Sequence, residues 1–260
     1  MRRYWNRFLD ALSFITTIRV RSAGFDPEFH RIVLFFPTVG LLLGCIYEAA
    51  HRLALPLFGD FAAAVIAVAA SVILTGGLHL DGLGDTFDGI YSYRSKERIL
   101  EIMKDSRVGT NALLAVSLVL LLKIGALQRL SQLGYTAVFF MPVAGRTASM
   151  LSCRIGKNAK ESGSGNVFIG KVETSDFWLG LFSAILYFIF FSAVFGGTDF
   201  IFVNWIAFAA SQIFTLLYIR DVTGRIGGLS GDVLGALCEL SEMVYLLALC
   251  IGGSLWTLYW

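Results

Sequence analysis

The chain has 260 residues, 21 basic and 19 acidic, for a net charge of +2, and 56% of it is hydrophobic, with 27 Gly besides. Soluble domains carry roughly 45–50% apolar residues with glycine counted in, so the composition points to an all-α, polytopic membrane helix bundle. It excludes a disordered chain, a nucleic-acid binder (no basic excess) and, with 4 Cys, a disulfide-stapled secreted module.

In chain order, residues 1–21 read as an amphipathic helix: Trp5, Phe8, Leu9, Leu12 and Ile15 share helical spacing, with Arg3, Arg7 and Asp10 elsewhere. It either lies on the bilayer surface or packs on the bundle. No clean apolar core followed by a cleavage site marks it for removal. A crossing needs about 20 mostly apolar residues, which predicts seven transmembrane helices near 32–50, 60–78, 111–128, 133–151, 177–195, 200–219 and 243–260. The fourth is interrupted by Pro142, Gly145 and Arg146, and the fifth and sixth are separated by the turn Gly196–Asp199. With these spans, 18 of the 21 Lys and Arg fall on the side of the N-terminus; only Arg52, Lys123 and Arg129 fall on the other. The positive-inside rule then puts the N-terminus in the cytoplasm and the C-terminus outside; a cell (inner) membrane is the expected location, with 1–260 forming one integral membrane domain. Lys123, inside an apolar run, is expected to snorkel to the outer face. Sixteen of the 19 acidic residues are cytoplasmic by the same assignment, and so is the expected active site. The four cysteines read as small hydrophobes.

The chemistry concentrates in residues 75–110, TGGLHLDGLGDTFDGIYSYRSKERILEIMKDSRVGT. Asp81, Asp85 and Asp88, at i, i+4 and i+7, fall within an arc of about 60° on a helix. At about 6 Å and an effective dielectric near 20, each like-charge pair costs on the order of 3 kcal/mol, so the stripe calls for protons, basic partners or a divalent cation. All-oxygen ligation suits Mg²⁺, commonly held by a few carboxylates and substrate phosphates. Gly76, Gly77, Gly82, Gly84 and Gly89 imply close approach of a ligand or a neighbouring helix. Lys104 and Arg107 supply charge for a pyrophosphate. His79 reads as a ligand, an acid/base or a structural interfacial histidine. A second polar segment, 220–243, places Asp232, Glu239 and Glu242 on one helical face beside Gly227, Gly228, Gly231 and Gly235. It is expected at the same cytoplasmic edge, with Arg146 and the loop at 157–168, a linker by composition, between the two.

GGLHLDGLGDTFDG with EIMKDSRVGT closely resembles the signature of the cobalamin synthase family, the adenosylcobinamide-GDP ribazoletransferases. The resemblance continues through ALSFITTIRV, FPTVGLLLG, MPVAGR and GGLSGDVLGALCELSE; Thr17, Arg19, Asn158, Lys160 and Ser230 depart from the family pattern without touching the Asp stripe. It implies a Mg²⁺-dependent membrane transferase that joins α-ribazole, or its 5′-phosphate, to adenosylcobinamide-GDP with release of GMP. It further implies Asp81, Asp85, Asp88 and Asp232 as metal ligands, one Asp also serving as base. Lys104, Arg107 and Arg146 would bind the pyrophosphate, and His79, Glu239 and Glu242 would bind substrate. A CDP-alcohol-type phosphotransferase is the nearest alternative and an ion-coupled transporter a more distant one. A homo-oligomer is left open.

Overall fold

The computed structural model describes residues 2–20, 26–195 and 198–259, with backbone alone at 195, 198–199 and 256–259. Arg21, and Gly196 and Gly197 of the expected turn, lie outside the described residues. Among the described residues every regular element is helical.

Helix α1 (Arg2–Ile15) buries Ala11, Leu12 and Ile15 against the bundle. It leaves Trp5 and Tyr4 exposed, so it packs on one side and is open on the other. A 3₁₀ segment (Phe29–Phe35) leads into α2 (Phe36–Thr75), 40 residues long. A straight helix of that length would reach about 60 Å, twice the hydrocarbon core. It is not straight: Gly59, with φ 77° and ψ 175°, breaks it, a conformation open to glycine because it has no Cβ. Both ends return to α1. The Thr17 N–H donates to the Leu74 carbonyl at 2.8 Å, while the Phe36 ring lies 6.3 Å from Phe168, itself 5.0 Å from Phe14. The first two expected spans are thus the two arms of α2. Gly76 and Gly77, both left-handed, end it and begin α3 (Leu78–Ile90). Then come α4 (Lys96–Ile102) and α5 (Thr110–Gln132).

The fourth expected span, 133–151, is corrected by the structure. Residues 133–140 form turns, and the helix α6 (Met141–Ile155) has 15 residues, about 22 Å, too short to cross by itself. Pro142 in its first turn fixes the start. Twelve of its residues are buried, and it packs on α2, α7, α8 and α9. Irregular backbone at membrane depth is tolerated when protein covers it, as it does Ala137, Val138, Phe139 and Phe140. Helices α7 (Thr174–Phe195), α8 (Thr198–Ile226) and α9 (Gly231–Tyr259) complete the bundle. The last expected span, 243–260, is also too short: α9 begins at Gly231, since no breaker separates that residue from Met243.

Among the described residues five helical stretches are long and apolar enough to cross a membrane, the first spanning Phe29–Thr75 and so taking in the first expected span and nearly all of the second. Outward faces carry Leu114, Leu118 and Leu121 on α5, Phe182, Leu186 and Ile189 on α7, and Phe202 and Ile206 on α8. This is the apolar exterior of a multi-pass membrane protein.

The first arm of α2 meets α6 through glycine. A Cβ at Gly40 would sit 2.6 Å from the Pro142 carbonyl oxygen, whereas one at Gly125 meets nothing within 4 Å. Gly40→Ala should therefore destabilise by about 2 kcal/mol, because α6 backbone has to move. Gly125→Ala should leave stability unchanged or raise it by up to ~1 kcal/mol through helix propensity. Thermal unfolding of the purified protein in detergent separates the two outcomes.

Candidate active site

Helix α3 turns one face inward, through Gly82, Leu83, Thr86 and Ile90, and presents its acids to an open cleft of about 880 Å³. The cleft is walled by the end of α1, Gly76 and Gly77, the segment 103–108 and the start of α5. Asp81 is exposed; Asp85 and Asp88 are partly covered. The three do not do the same work. Asp88 accepts the Gly109 N–H at 2.7 Å on one oxygen and the Ala112 N–H at 2.9 Å on the other. It thereby caps α5, whose own N-cap residue is the glycine Gly109.

The third acid of the site comes from α9. A Cβ on Gly82 would lie 2.6 Å from the Asp232 carbonyl oxygen, and one on Gly235 3.1 Å from that of His79. These glycines let α3 and α9 touch backbone to backbone, so for them the neighbouring helix explains the glycine-rich sequence. Asp232 then accepts hydrogen bonds from the Ser230 hydroxyl at 3.1 Å and the Lys160 ammonium at 3.3 Å. The loop carrying Lys160 is no linker. The Leu229 N–H donates to the Lys157 carbonyl at 2.7 Å and the Ala159 N–H returns to the Leu229 carbonyl at 2.9 Å, pinning it to the α8–α9 junction. Between this loop, Lys104 and Asp232 lies a polar pocket of about 200 Å³ that shares Lys104 with the main cleft. Sequence reasoning named Lys160 only as a departure from the family pattern, whereas the structure pairs its ammonium with Asp232. Its signal was a lysine among Gly and Ser opposite an acid-rich segment.

Burial, then the charges of Asp81 and Asp232, push the Asp85 carboxyl up to about 6, with Lys160 opposing. Among the described residues no three His, Cys, Asp or Glu side chains form a cage for a metal. The donors that are present, the carboxylates of Asp81 and Asp232 at adjoining open spaces, are of the all-oxygen kind that Mg²⁺ takes together with waters and substrate phosphates. Lys104 lines both spaces. Arg107 borders the cleft, but its guanidinium is 87% exposed and paired with Asp105 at 2.5 Å, which holds the Asp105 carboxyl down at about 2.

The remaining expected site residues lie deeper. Glu239 and Glu242 are not at the membrane edge. They are buried in α9, seven and ten residues past Asp232, about 10 and 15 Å along the axis. Lys123 does not snorkel: it is 1% exposed and donates to Glu239 and Glu242 at 2.6 Å each. It stands 13 residues from one end of α5 and nine from the other, some 20 and 14 Å, beyond the reach of its stem. Arg146, fully buried, ion-pairs with Glu242 instead of facing the cleft. Two cations and two anions make a neutral cluster tying α5, α6 and α9 together. Opposite charges at mid-depth in separate apolar runs were the sequence signal for this pairing. His79 is 7% exposed, its Nδ1 has no partner, and burial holds the imidazole well below its usual value. It lines a third space, a cavity of about 220 Å³ adjoining the cleft.

Removing Lys123 as Lys123→Met leaves two buried carboxylates with one cation, and should cost roughly 3–5 kcal/mol, read as a lowered unfolding midpoint in detergent. For Asp85 the sign runs the other way. A carboxyl with a folded pKa above its unfolded value binds more protons in the folded state, so stability falls as pH rises through about 4 to 6. In chelator at pH 8, Asp85→Asn should melt at a higher temperature than the parent chain. Added Mg²⁺ should raise the melting temperature of the parent but not of Asp81→Asn, which lacks a carboxylate assigned to the metal.

A family model described as cobalamin-5-phosphate synthase matches residues 7–250. A protein of Clostridioides difficile, named adenosylcobinamide-GDP ribazoletransferase, is 41% identical over 249 residues, covering 93% of this chain and 95% of that protein. Proteins of the same name from Alkaliphilus metalliredigens (42% over 244 residues, 93% and 94% covered) and Brevibacillus brevis (39% over 256 residues, 96% and 99% covered) are similar along the same length. No solved structure matches the chain. With the family model matching residues 7–250 and relatives of this identity covering more than nine-tenths of the chain, the chain belongs to the cobalamin-5-phosphate synthase family.

Proposed function

We propose that the protein joins α-ribazole, or its 5′-phosphate, to adenosylcobinamide-GDP and releases GMP, with its cleft on the cytoplasmic side of a cell membrane. One observation supports this most directly: Asp81, Asp85 and Lys104 line a cleft of about 880 Å³, and Asp232 and Lys160 line a polar pocket that adjoins it at Lys104, with Asp81 and Asp232 both bordering a small aromatic cavity. An open cleft of this size takes the nucleotide end of such a substrate, with acids and cations at its anhydride, while the macrocycle extends beyond it. The similar relatives bear the corresponding name.

In the reaction a ribose hydroxyl oxygen forms a bond to the phosphorus attached to cobinamide. The bond from that phosphorus to the bridging oxygen breaks, and GMP departs with the electron pair. Asp85 is the residue best matched to take the hydroxyl proton, since a carboxyl near 6 is ionised at neutral pH yet more basic than an ordinary one. Asp81 and Asp232 would hold Mg²⁺ beside it, and Mg²⁺ bound there with the substrate phosphates would neutralise charge on the anhydride oxygens. Lys104 and Lys160 face the same space, and their ammonium groups offset the charge gathering on the leaving phosphate. Lys160 exchanges its Asp232 partner for phosphate when substrate enters. Asp88, engaged in capping α5, positions α3 against α5 instead of joining the chemistry.

Membranes carrying the protein, supplied with adenosylcobinamide-GDP and α-ribazole, should form GMP and the joined corrinoid in equal amounts with Mg²⁺ and neither with a chelator. Asp81→Asn and Asp232→Asn should each lower kcat by about a hundredfold or more. Turnover in the parent chain should fall on the acid side of neutrality as Asp85 becomes protonated, at a pH below about 6 because Mg²⁺ offsets the Asp81 and Asp232 charges that help raise it. Undiminished kcat in both Asn variants would remove the metal assignment. An absence of product from folded parent protein would turn the search to CDP-alcohol substrates.

A further inference from the structure

The cavity of about 220 Å³ differs in character from the two spaces it adjoins. Phe14, Phe36 and Phe168 wall it, with the Phe14 and Phe168 rings 5.0 Å apart. At its base stand Ser149 and His79, and at its rim Asp81 and Asp232, which open onto the cleft and the polar pocket. Its size falls below the roughly 300–1,000 Å³ of sites for drug-sized ligands. It has room for one flat bicyclic ring with small substituents and none for a macrocycle. Aromatic walls favour such a ring by offset and edge-on packing.

The second observation is the unpartnered nitrogen. His79 Nδ1 is buried and unbonded, although buried polar atoms in native proteins are nearly always paired. The Nδ1 atom has no accessible surface of its own, so the ring turns about its Cβ–Cγ bond to bring Nδ1 to a ligand in the cavity, while the His79 backbone stays packed against Gly235 of α9. A neutral imidazole there offers one N–H to a ring nitrogen that has a free lone pair. Ser149 adds little competition: its hydroxyl reaches only the Gly145 and Leu234 carbonyls, at 3.3 and 3.5 Å.

We propose that this cavity is the base subsite for the nucleoside acceptor: the methylated benzimidazole ring lies among Phe14, Phe36 and Phe168, its free ring nitrogen accepts a hydrogen bond from His79 Nδ1, and its ribose projects to Asp81 and Asp232. The assignment rests on the transferase reading above and divides the substrates between two spaces, the small cavity for the attacking nucleoside and the cleft for the corrinoid nucleotide. It makes His79 a binding residue for the acceptor and gives Ser149 control over the size of the base.

Steady-state kinetics on the full chain in membranes tests this, with the corrinoid substrate and two acceptors, the riboside of dimethylbenzimidazole and that of unmethylated benzimidazole. Ser149→Leu, which fills the cavity, should raise KM for the dimethylated riboside tenfold or more. It should leave KM for the unmethylated one within about threefold of the parent value and KM for the corrinoid unchanged. His79→Phe should raise KM for both ribosides about tenfold, again without moving the corrinoid KM. A rise in corrinoid KM, or equal penalties for both ribosides in Ser149→Leu, would overturn the assignment. A measurement that does not depend on the folding of those variants uses Leu78→Cys, an exposed position at the mouth of the cavity. α-Ribazole alone should slow maleimide labelling there, located by mass spectrometry, and GDP alone should not. The reverse pattern, or no protection by α-ribazole, overturns the proposal. Product formation by the parent chain is scored separately, so failure of the subsite is distinguishable from failure of the reaction.

Discussion

The direct backbone contact between α3 and α9 is the constraint from which the rest of the structure follows. Gly82 and Gly235 leave no side chain between the two helices, and a single methyl at Gly82 would strike the Asp232 carbonyl. That approach forces Asp81, Asp85 and Asp232 into one electrostatic neighbourhood, at an energetic cost recorded in the raised Asp85 carboxyl. Lys160 offsets part of this cost, and a bound cation with substrate phosphates would offset more. The site is therefore built in a state that favours its ligands, and the glycines are what make that state reachable.

Beneath the site the bundle needs rigidity, and it is obtained with charge. Lys123, Arg146, Glu239 and Glu242 balance to zero in the middle of the membrane-spanning helices. Each member has strong reasons to keep its partners, since an unpaired ion at this depth is far costlier than the pair. The cluster joins α5, α6 and α9, and α9 is the helix that carries Asp232 upward to the cleft. A mid-membrane ion pair thus holds in register the two helices, α5 through Asp88 and α9 through Gly235, between which α3 is set. The presence of acids at mid-depth is also a feature of transporters. Here they are matched by cations one to one, and the uncompensated acids are those at the cleft.

Three adjoining spaces surround the acids: a large cleft, a small polar pocket with two lysines, and a small aromatic cavity. Asp81 borders the first and third and Asp232 the second and third, so the reacting atoms of two unlike substrates can meet at one point while their bulk stays apart. The loop at 157–168 belongs to this architecture, because its backbone bonds to Leu229 fix Lys160 opposite Asp85.

Much was legible in the sequence. Long apolar runs fix a helical membrane bundle, since only internally bonded backbone survives in hydrocarbon. The i, i+4, i+7 spacing of Asp81, Asp85 and Asp88 fixes a shared helical face whatever the surroundings. Asp232 was singled out by its glycine-rich setting, and the signature motifs identified the family. What each of those residues touches was not legible, because periodicity specifies a face and not its neighbour. Only the tertiary structure decided that Asp88 caps α5 while Asp85 meets Asp232, and that Lys123 turns inward to two glutamates. It also decided that Arg146, Glu239 and Glu242 serve the bundle and that the fourth span is a buried half-length helix. In each case the deciding contact joins residues from 21 to 147 positions apart. A local pattern specifies what a helix can present. The packing of distant helices, through glycine contacts and ion pairs in a medium without water, decides which of those side chains become chemistry and which become structure.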